Sequence, residues 1–439
     1  MIRHPRDMIA GMAQSVVQPF NDSGCTPAGV RYLFTQPGVE LKRIVEDLYS
    51  QSDCIEPRHI ENLRKSWPLD AVLAALAVAK AGKKAAEAGG KFPADESGNR
   101  IWALPEALEQ ATSRRVAQYK ANQFRQWNPT AIIDFCCGIG GDALALANVA
   151  PVLAVELSPV RALLAAYNTA QMTHHKPLLV IQADAATTFY RPQSGLMFHI
   201  DPSRRSGIKR SAEFASMHPG PAVIEKIINQ LHDGAIKLSP AVNFSDLPGG
   251  HLELISESGV VVQALLWTGR IAESKGLDTR TATVLSRKEL VWSLTGKPGD
   301  TDSLCEPQEW LFEIDGAVLR AGLAPALCRM LRLQALNADG GYATGPEFII
   351  HPALTGFKIL TVLKYSERAV TDALQEHFRK ASSVGKAAIE VKTRGGLGLD
   401  TDKLTQKWSA LAQDNYTVLI YRGARGTTAI IAQRMIKSL

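Results

Sequence analysis

Nine residues, Asp134-Phe135-Cys136-Cys137-Gly138-Ile139-Gly140-Gly141-Asp142, constrain the fold of this chain more than any other stretch. The apolar run Ala131-Ile132-Ile133 leads in, and the alanine-rich run Ala143 to Ala147 leads out. The pattern is strand, glycine turn, helix start. Glycine tolerates positive φ and has no Cβ, so its backbone can come close to a ligand. The first N–H groups of a helix lack partners inside it and point at whatever binds there. The turn therefore predicts a nucleotide-type cofactor site on an α/β scaffold.

Two kinds of cofactor compete for this loop. Gly138-Ile139-Gly140-Gly141-Asp142-Ala143 fits the dinucleotide pattern G-x-G-x-x-[G/A]. Asp134, four positions before Gly138, favours the other kind. A carboxylate there suits a ligand with a cationic amino-acid end and repels a pyrophosphate. The second strand, Val152-Leu153-Ala154-Val155, ends in Glu156, followed by Leu157. Such a carboxylate can accept both hydrogen bonds of a ribose diol, whichever cofactor binds. Ser158-Pro159 reads as N-cap and first helical residue. A third strand, Leu178 to Gln182, runs into Ala183-Asp184-Ala185, where Asp184 is placed to accept from an adenine amino group. A fourth, Leu196 to Ile200, runs into Asp201-Pro202-Ser203-Arg204-Arg205.

Residues 131–205, with these four motifs in order, resemble a class I S-adenosylmethionine (SAM)-dependent methyltransferase. The Asp-Phe-Cys-Cys-Gly-Ile-Gly-Gly loop is especially similar to that of trimethylguanosine synthase. Leu108-Glu109-Gln110-Ala111-Thr112-Ser113 and Asp201-Pro202-Ser203-Arg204-Arg205 resemble a bacterial methyltransferase family with a THUMP-like C-terminal domain. The resemblance implies a Rossmann-like sheet of seven strands, parallel except for one. It implies SAM as cofactor, held by Asp134, Cys136, Gly138, Gly140, Asp142, Glu156, Leu157, Asp184 and Ala185. It also implies that Asp201, Pro202, Ser203 and Arg204 face the methyl acceptor.

The acceptor motif departs from the pattern of enzymes that methylate exocyclic amines, [D/N]-P-P-[Y/F/W]. Ser203 replaces the second proline and Arg204 replaces the aromatic residue. Only a guanidinium plane, from Arg204 or Arg205, is left to stack on a base. The motif also resembles the D-P-P-R-x-G of RNA 5-methyluridine methyltransferases, which need a cysteine nucleophile after the next strand. Here that region reads Lys237-Leu238-Ser239-Pro240, without cysteine. Serine without an activating base is a poor nucleophile, which argues against the covalent route. Arg204, Arg205, Lys209 and Arg210 could grip phosphates beside a target nucleotide, or fix their own loop through internal ion pairs. Lys392-Thr393-Arg394-Gly395-Gly396 reads equally as a phosphate-binding turn or a basic turn. Cys136 and Cys137 read as packing residues, His174-His175 as surface, and His199 as a satisfied core histidine.

A chain of 439 residues is too long for one ordinary core. Four segments are expected: a helical N-terminal region (1–128), a methyltransferase domain (129–300), a connector (301–350) and a small basic α/β domain (351–439). In the first, Trp67-Pro68-Leu69-Asp70 leads into Ala71 to Ala79, which reads as a core helix, and Pro105 to Phe124 reads as one helix carrying Arg114, Arg115 and Lys120 on its surface. Lys83, Lys84 and Lys91 read as a solvated helix face or as the lining of a groove. In the last segment, strands at Phe357 to Val362 and Ala387 to Lys392, helices at Ser366 to Arg379 and Thr401 to Leu411, and a hairpin around Gly423-Ala424-Arg425-Gly426 are expected.

The hydrophobic content of 46% fits a globular protein. The longest apolar run, Ala71 to Ala79, is too short to span a bilayer, and the first residues lack the apolar stretch of a signal peptide. Six scattered cysteines without CxxC spacing predict no metal site and no structural disulfide, and hence a cytoplasmic home. The net charge of +6 is uneven: residues 351–439 hold 14 Lys and Arg against 7 Asp and Glu. That excess makes RNA the expected partner of the C-terminal part, the alternative being a solvated basic face. The sequence-level reading is a SAM-dependent methyltransferase acting on a base nitrogen of RNA. Its rivals are an NAD-dependent oxidoreductase, an RNA-binding protein without turnover, and a methyltransferase acting on a protein or small molecule.

Overall fold

The computed structural model describes residues 22, 24–87, 90–94, 99–188, 190–204, 213–286, 291–301, 303–380, 388–412 and 414–435. The chain falls into two compact units, residues 1–250 with 266–271, and residues 251–265 with 272–439.

Among the described residues, the first unit begins with helices α1 (Pro27–Tyr32), α2 (Gln36–Gln51), α3 (Pro57–Leu63) and α4 (Leu69–Ala86). Thr26 and Thr35 cap α1 and α2 by accepting from Gly29 N and Gly38 N. The expected single helix over 105–124 is two, α5 (Pro105–Gln110) and α6 (Arg114–Arg125). The break has a local cause: Ser113 takes a β conformation and accepts from Val116 N, which starts a new helix.

Five strands follow: β1 (Ala131–Phe135), β2 (Val152–Glu156), β3 (Leu178–Gln182), β4 (Leu196–Ile200) and β5 (Gly234–Leu238). They pair in parallel. Parallel neighbours need crossovers, and α7 (Gly141–Leu146), α8 (Pro159–Gln171) and α9 (Pro221–Leu231) lie in them. β1 and β4 are buried along almost their whole length, as strands covered on both faces must be. Ile139 of the glycine turn and Val160, Leu163 and Leu164 of α8 share one core with the N-terminal helices. That shared core fixes the turn against α8.

Four more strands, β6 (His251–Glu257), β7 (Val260–Thr268), β8 (Arg280–Leu285) and β9 (Val291–Gly296), complete a nine-stranded sheet. Its order is β9-β8-β6-β7-β5-β4-β1-β2-β3. Ser258 and Gly259, both at positive φ, join β6 to β7 as a two-residue hairpin, so these strands are antiparallel. β8 is parallel to β6, and β9 antiparallel to β8. The expected seven strands are therefore extended by β8 and β9.

In the second unit, residues 310–345 supply β10 (Trp310–Ile314), β11 (Gln334–Ala335) and β12 (Tyr342–Gly345). They belong to a seven-stranded sheet with β13 (Leu354–Lys364), β14 (Ile389–Arg394), β15 (Tyr416–Gly423) and β16 (Gly426–Arg434). The order is β11-β12-β10-β13-β16-β15-β14, and only β14 and β15 pair in parallel. The segment read as a connector is thus part of the sheet. Helices at Glu367–Lys380 and Thr401–Ser409 and the β15–β16 hairpin lie where the sequence placed them. One core joins Val370, Leu374, Trp408, Val418 and Ile431, and another joins Leu311, Tyr342, Phe357, Leu419 and Ile430.

Candidate functional site

The turn after β1 is built on three left-handed residues, Cys136 (φ 59°), Gly138 (φ 58°) and Gly140 (φ 87°). A Cβ placed on Gly138 would meet nothing within 4 Å, so this face of the turn is open. A Cβ on Gly140 would instead lie 3.6 Å from Ala165 and Thr169, so that side packs on α8. Asn168 of α8 accepts from Trp102 N (2.7 Å) and donates to Trp102 O (2.8 Å) and Ile139 O (2.9 Å), which pins the turn from below.

Carboxylates gather around the turn at the carboxyl ends of the strands. Glu156, the last residue of β2, is buried; its Oε2 accepts from Gly138 N and its Oε1 from Ser158 N, both at 2.8 Å. Burial raises its pKa against those two hydrogen bonds and Arg161. Ser158 caps α8 and donates to Asp22 Oδ2 (2.7 Å), while Arg161 Nε donates to Asp22 Oδ1 (2.9 Å). Asp184, two residues past β3, accepts from Ala186 N at 2.8 Å and shapes its own turn. The Cys136 thiol is pushed well up by burial and by the charges of Glu156, Asp201, Asp134 and Asp184. Four of the carboxylates singled out in the sequence therefore surround one side chain of the turn. Cys137 is raised too, by burial and the charges of Glu156 and Asp134, an environment that disfavours the thiolate at both cysteines.

Beneath the turn lies a buried polar chain. Asp134 is completely buried, and its Oδ1 sits 2.7 Å from His199 Nδ1. His199 Nε2 is 3.0 Å from Lys120 Nζ, and Lys120 Nζ is 2.7 Å from Asp142 Oδ1. Asp142 Oδ2 accepts from Thr112 Oγ1 at 2.8 Å. A neutral His199 protonated on Nδ1 donates to Asp134 and accepts from the Lys120 ammonium, which satisfies both contacts. Burial raises the Asp134 pKa, with His199 working against it. Burial opposes ionisation of Asp142 too, but Lys120, His199 and Lys237 outweigh it and hold it well below the usual carboxylate range. Asp134 Oδ2 makes no hydrogen bond among the described residues.

A second polar cluster is built around Asp201, directly after β4. Lys237 of β5 reaches it with Nζ 2.6 Å from Oδ2 and also donates to Gln110 O at 3.1 Å. Burial works against the Lys237 charge, but Asp201 and Asp142 more than offset it and raise its pKa. Lys91 donates to Leu108 O, Glu109 O and Ala111 O, which caps the end of α5. Residues 108–113 thus form a wall held by Lys91, Lys237 and Asp142.

Pro202 is buried, and Ser203 is exposed with its hydroxyl 3.4 Å from His218 O. Ser203–Arg204 pair with Met217–His218 in a two-residue ladder. Arg205, Lys209 and Arg210 lie outside the described residues. Leu157 is half-buried and Ala185 buried, beside Glu156 and Asp184. His174 bonds the carbonyls of Lys176 and Thr169. Lys83 pairs with Asp53, and Lys84 with Glu109. In the second unit, Lys392 (2.7 Å) and Arg394 (3.5 Å) both pair with Glu313.

Lys120, expected on a helix surface, is instead almost completely buried. The signal was in its spacing: it stands four residues from both Val116 and Phe124, on the apolar stripe of α6. Lys237 carried a similar signal, a charge inside the apolar strand Gly234-Ala235-Ile236-Lys237-Leu238. Among the described residues, no group of three His, Cys, Asp or Glu could hold a metal ion, and no helix is long and apolar enough to cross a membrane.

The fold has a full-length counterpart. A protein from Porphyromonas gingivalis W83, described provisionally as a methyltransferase, is similar over 92% of this chain and 99% of its own, with a TM-score of 0.66 at 17% identity. Two smaller structures overlap only part of this chain. A SAM-dependent methyltransferase from Aquifex aeolicus covers 37% of it and 96% of its own length, at 8% identity and a TM-score of 0.28. An rRNA methylase from Streptococcus thermophilus covers 35% and 96%, at 12% identity and a TM-score of 0.26. No protein-family model and no curated protein matches the sequence. The chain therefore has a Rossmann-like α/β fold of the methyltransferase type, followed by a second, mostly antiparallel sheet.

Proposed function

We propose that this protein is a SAM-dependent methyltransferase that transfers a methyl group to a base nitrogen of RNA. One observation carries the cofactor part: an open glycine turn surrounded by Glu156, Asp184 and Asp201 at the carboxyl ends of three parallel strands. β1 lies between β2 and β4, where the order of the sheet reverses, which is where open α/β sheets bind ligands. Glu156 spends one lone pair of each oxygen on backbone N–H groups, which leaves acceptor capacity for ribose hydroxyls. Asp184 has the same spare capacity for an adenine amino group.

Bound in this cleft, SAM supplies an electrophilic methyl group. The protein has mainly to align the acceptor and exclude water. Lys237 holds Asp201 by Oδ2, and Oδ1 is then left to accept an N–H of the acceptor. The wall of residues 108–113 closes one side of that position. Arg204, Arg205, Lys209 and Arg210 follow Asp201 directly in sequence and would contact phosphates next to the target nucleotide. The basic excess of residues 351–439, in the part we read as THUMP-like, supports RNA as the acceptor. Lys392 and Arg394 would reach a phosphate only by leaving Glu313.

The test has two stages. Equilibrium dialysis with labelled SAM and with NADH should show binding of SAM alone; preference for NADH ends the methyltransferase reading. Labelled methyl should then enter total RNA from a strain lacking the gene, and not RNA from the parent strain. SAM binding without incorporation would refute RNA as the acceptor.

A further inference from the structure

In the second unit, two cations share one carboxylate. Lys392 and Arg394 stand two residues apart on β14, so both leave the same face of the sheet. Lys392 Nζ lies 2.7 Å and Arg394 Nη2 3.5 Å from Glu313 of β10. The other carboxylates nearby are taken. Glu390, 3.7 Å from Lys392, accepts twice from Arg434 and once from Thr417. Asp339 accepts from Asn337 and from Gly341 N. Tyr342 adds a further donor. Its ring lies 5.8 Å from Arg394 Cζ, and its buried hydroxyl makes no hydrogen bond among the described residues. A guanidinium, an ammonium and a spare phenol O–H stand together, and Glu313 is the oxyanion that the two cations share.

The cluster is open on one side. Lys392 and Arg394 keep 25% and 31% of their side chains exposed. Past the end of β14, a Cβ on Gly396 or Gly398 would meet nothing within 4 Å. This is also the carboxyl end of the parallel pair β14–β15, where α/β units bind ligands. The site does not depend on the helix that follows, which Asp400 already caps by accepting from Lys403 N at 2.9 Å.

We propose that Lys392 and Arg394 form a binding site for a backbone phosphate of RNA, and that Glu313 masks this site by standing where the phosphate would bind. The proposal rests on the reading of RNA as the acceptor. A phosphate diester is an oxyanion of the kind that guanidinium and ammonium groups both bind. To admit it, Glu313 has to release the two cations. A phosphate carried by an RNA that is already held elsewhere arrives at high effective concentration, whereas a free phosphate ion must displace Glu313 unaided. The mask therefore selects for the polymer.

Fluorescence anisotropy of the full-length protein with a labelled single-stranded RNA of mixed sequence, at fixed ionic strength, tests this. Glu313→Gln should tighten binding about three- to thirtyfold, since two ion pairs no longer have to be broken. Glu306→Gln makes the same change of charge and frees Arg425, so it measures the gain from net charge alone, which Glu313→Gln should exceed. Glu313→Asp keeps the charge but draws the carboxylate back by one methylene, and should tighten binding to a lesser degree. The gain from Glu313→Gln should vanish in a protein that also carries Lys392→Gln and Arg394→Gln. Equal gains from Glu306→Gln and Glu313→Gln would overturn the mask, and so would the absence of a gain from Glu313→Asp, the variant that decides if Glu313→Gln fails to fold. Inorganic phosphate should displace the RNA no better than chloride at equal ionic strength; specific displacement would make this a free-phosphate site and overturn the assignment to RNA. No RNA binding by the wild type or any variant would refute RNA as the partner, and this site with it.

Discussion

At the scale of single residues, the site separates groups that must be small from groups that must be charged. Gly138 is held at φ 58° with open space where a side chain would begin. An alanine there has room, and its cost is the left-handed backbone, about 1–2 kcal/mol. Gly138→Ala should therefore fold with a modestly lowered melting temperature, yet its methyl group would stand in the ligand's space. A drop of at least tenfold in SAM affinity is expected by dialysis; unchanged affinity would move the ligand away from the turn. Lys237 gives a pH signature. Its folded pKa is raised above its unfolded value, so its contribution to stability is complete below the unfolded pKa of about 10.4 and is lost as pH rises through the folded pKa. Denaturant midpoints of wild-type and Lys237→Gln protein should differ at pH 8 and converge in strong alkali. A gap that stays constant would assign the effect of Lys237 to packing.

At the scale of elements, the break between α5 and α6 does more than interrupt a helix. It sets Thr112 against Asp142 and leaves the end of α5 to Lys91 and Lys237. Ser113→Ala removes the cap of α6 and should cost about 1 kcal/mol without altering SAM affinity. Thr112→Val leaves a buried ionised oxygen without its donor and should cost about 1–3 kcal/mol. It should also weaken SAM binding, because Asp142 stands in the turn itself. Equal affinities for the two variants would show that Asp142 does not communicate with the ligand.

The same break shows where sequence reasoning ran short. Proline at 105 and a continuous helical pattern suggested one helix, while the capping role of Ser113 had to compete with good helix formers on both sides. The strand–turn–helix of residues 131–146 was legible because its signals are local: an apolar run, glycines at fixed offsets, and Ser158-Pro159 one element later. Lys120 and Lys237 were missed because a charge is defined by its partners. Asp142, His199 and Asp201 come from elements far away in the chain. The role of residues 310–345 was hidden for a related reason, since β10 is defined by pairing with β12 and β13 rather than by its own five residues.

At the scale of the whole molecule, the basic excess of the C-terminal part is smaller than the sequence suggests. Lys358, Lys392 and Arg425 pair with Glu309, Glu313 and Glu306, which lie in the preceding segment. Residues 251–265 and 272–300 belong to the same compact unit as residues 301–439. A fragment ending at residue 300, the boundary the sequence suggested, should therefore leave β6, β8 and β9 without much of their unit. It should melt at a clearly lower temperature than the full chain by circular dichroism. An unchanged midpoint would show that the first 300 residues fold independently.

Glu156 carries a consequence for anyone who would re-engineer this cleft. The carboxylate that would read the ribose also ties together Gly138 N in the glycine turn and Ser158 N at the start of α8. On the proposed reading, ligand preference and the architecture of the turn are written in one side chain. An attempt to turn the cleft toward a 2′-phosphorylated nucleotide by replacing Glu156 with a neutral or basic residue would dismantle the turn before it changed the specificity. A new acceptor for those two N–H groups would have to be designed first, which makes this position a brake on the evolution of the site as well as part of its recognition.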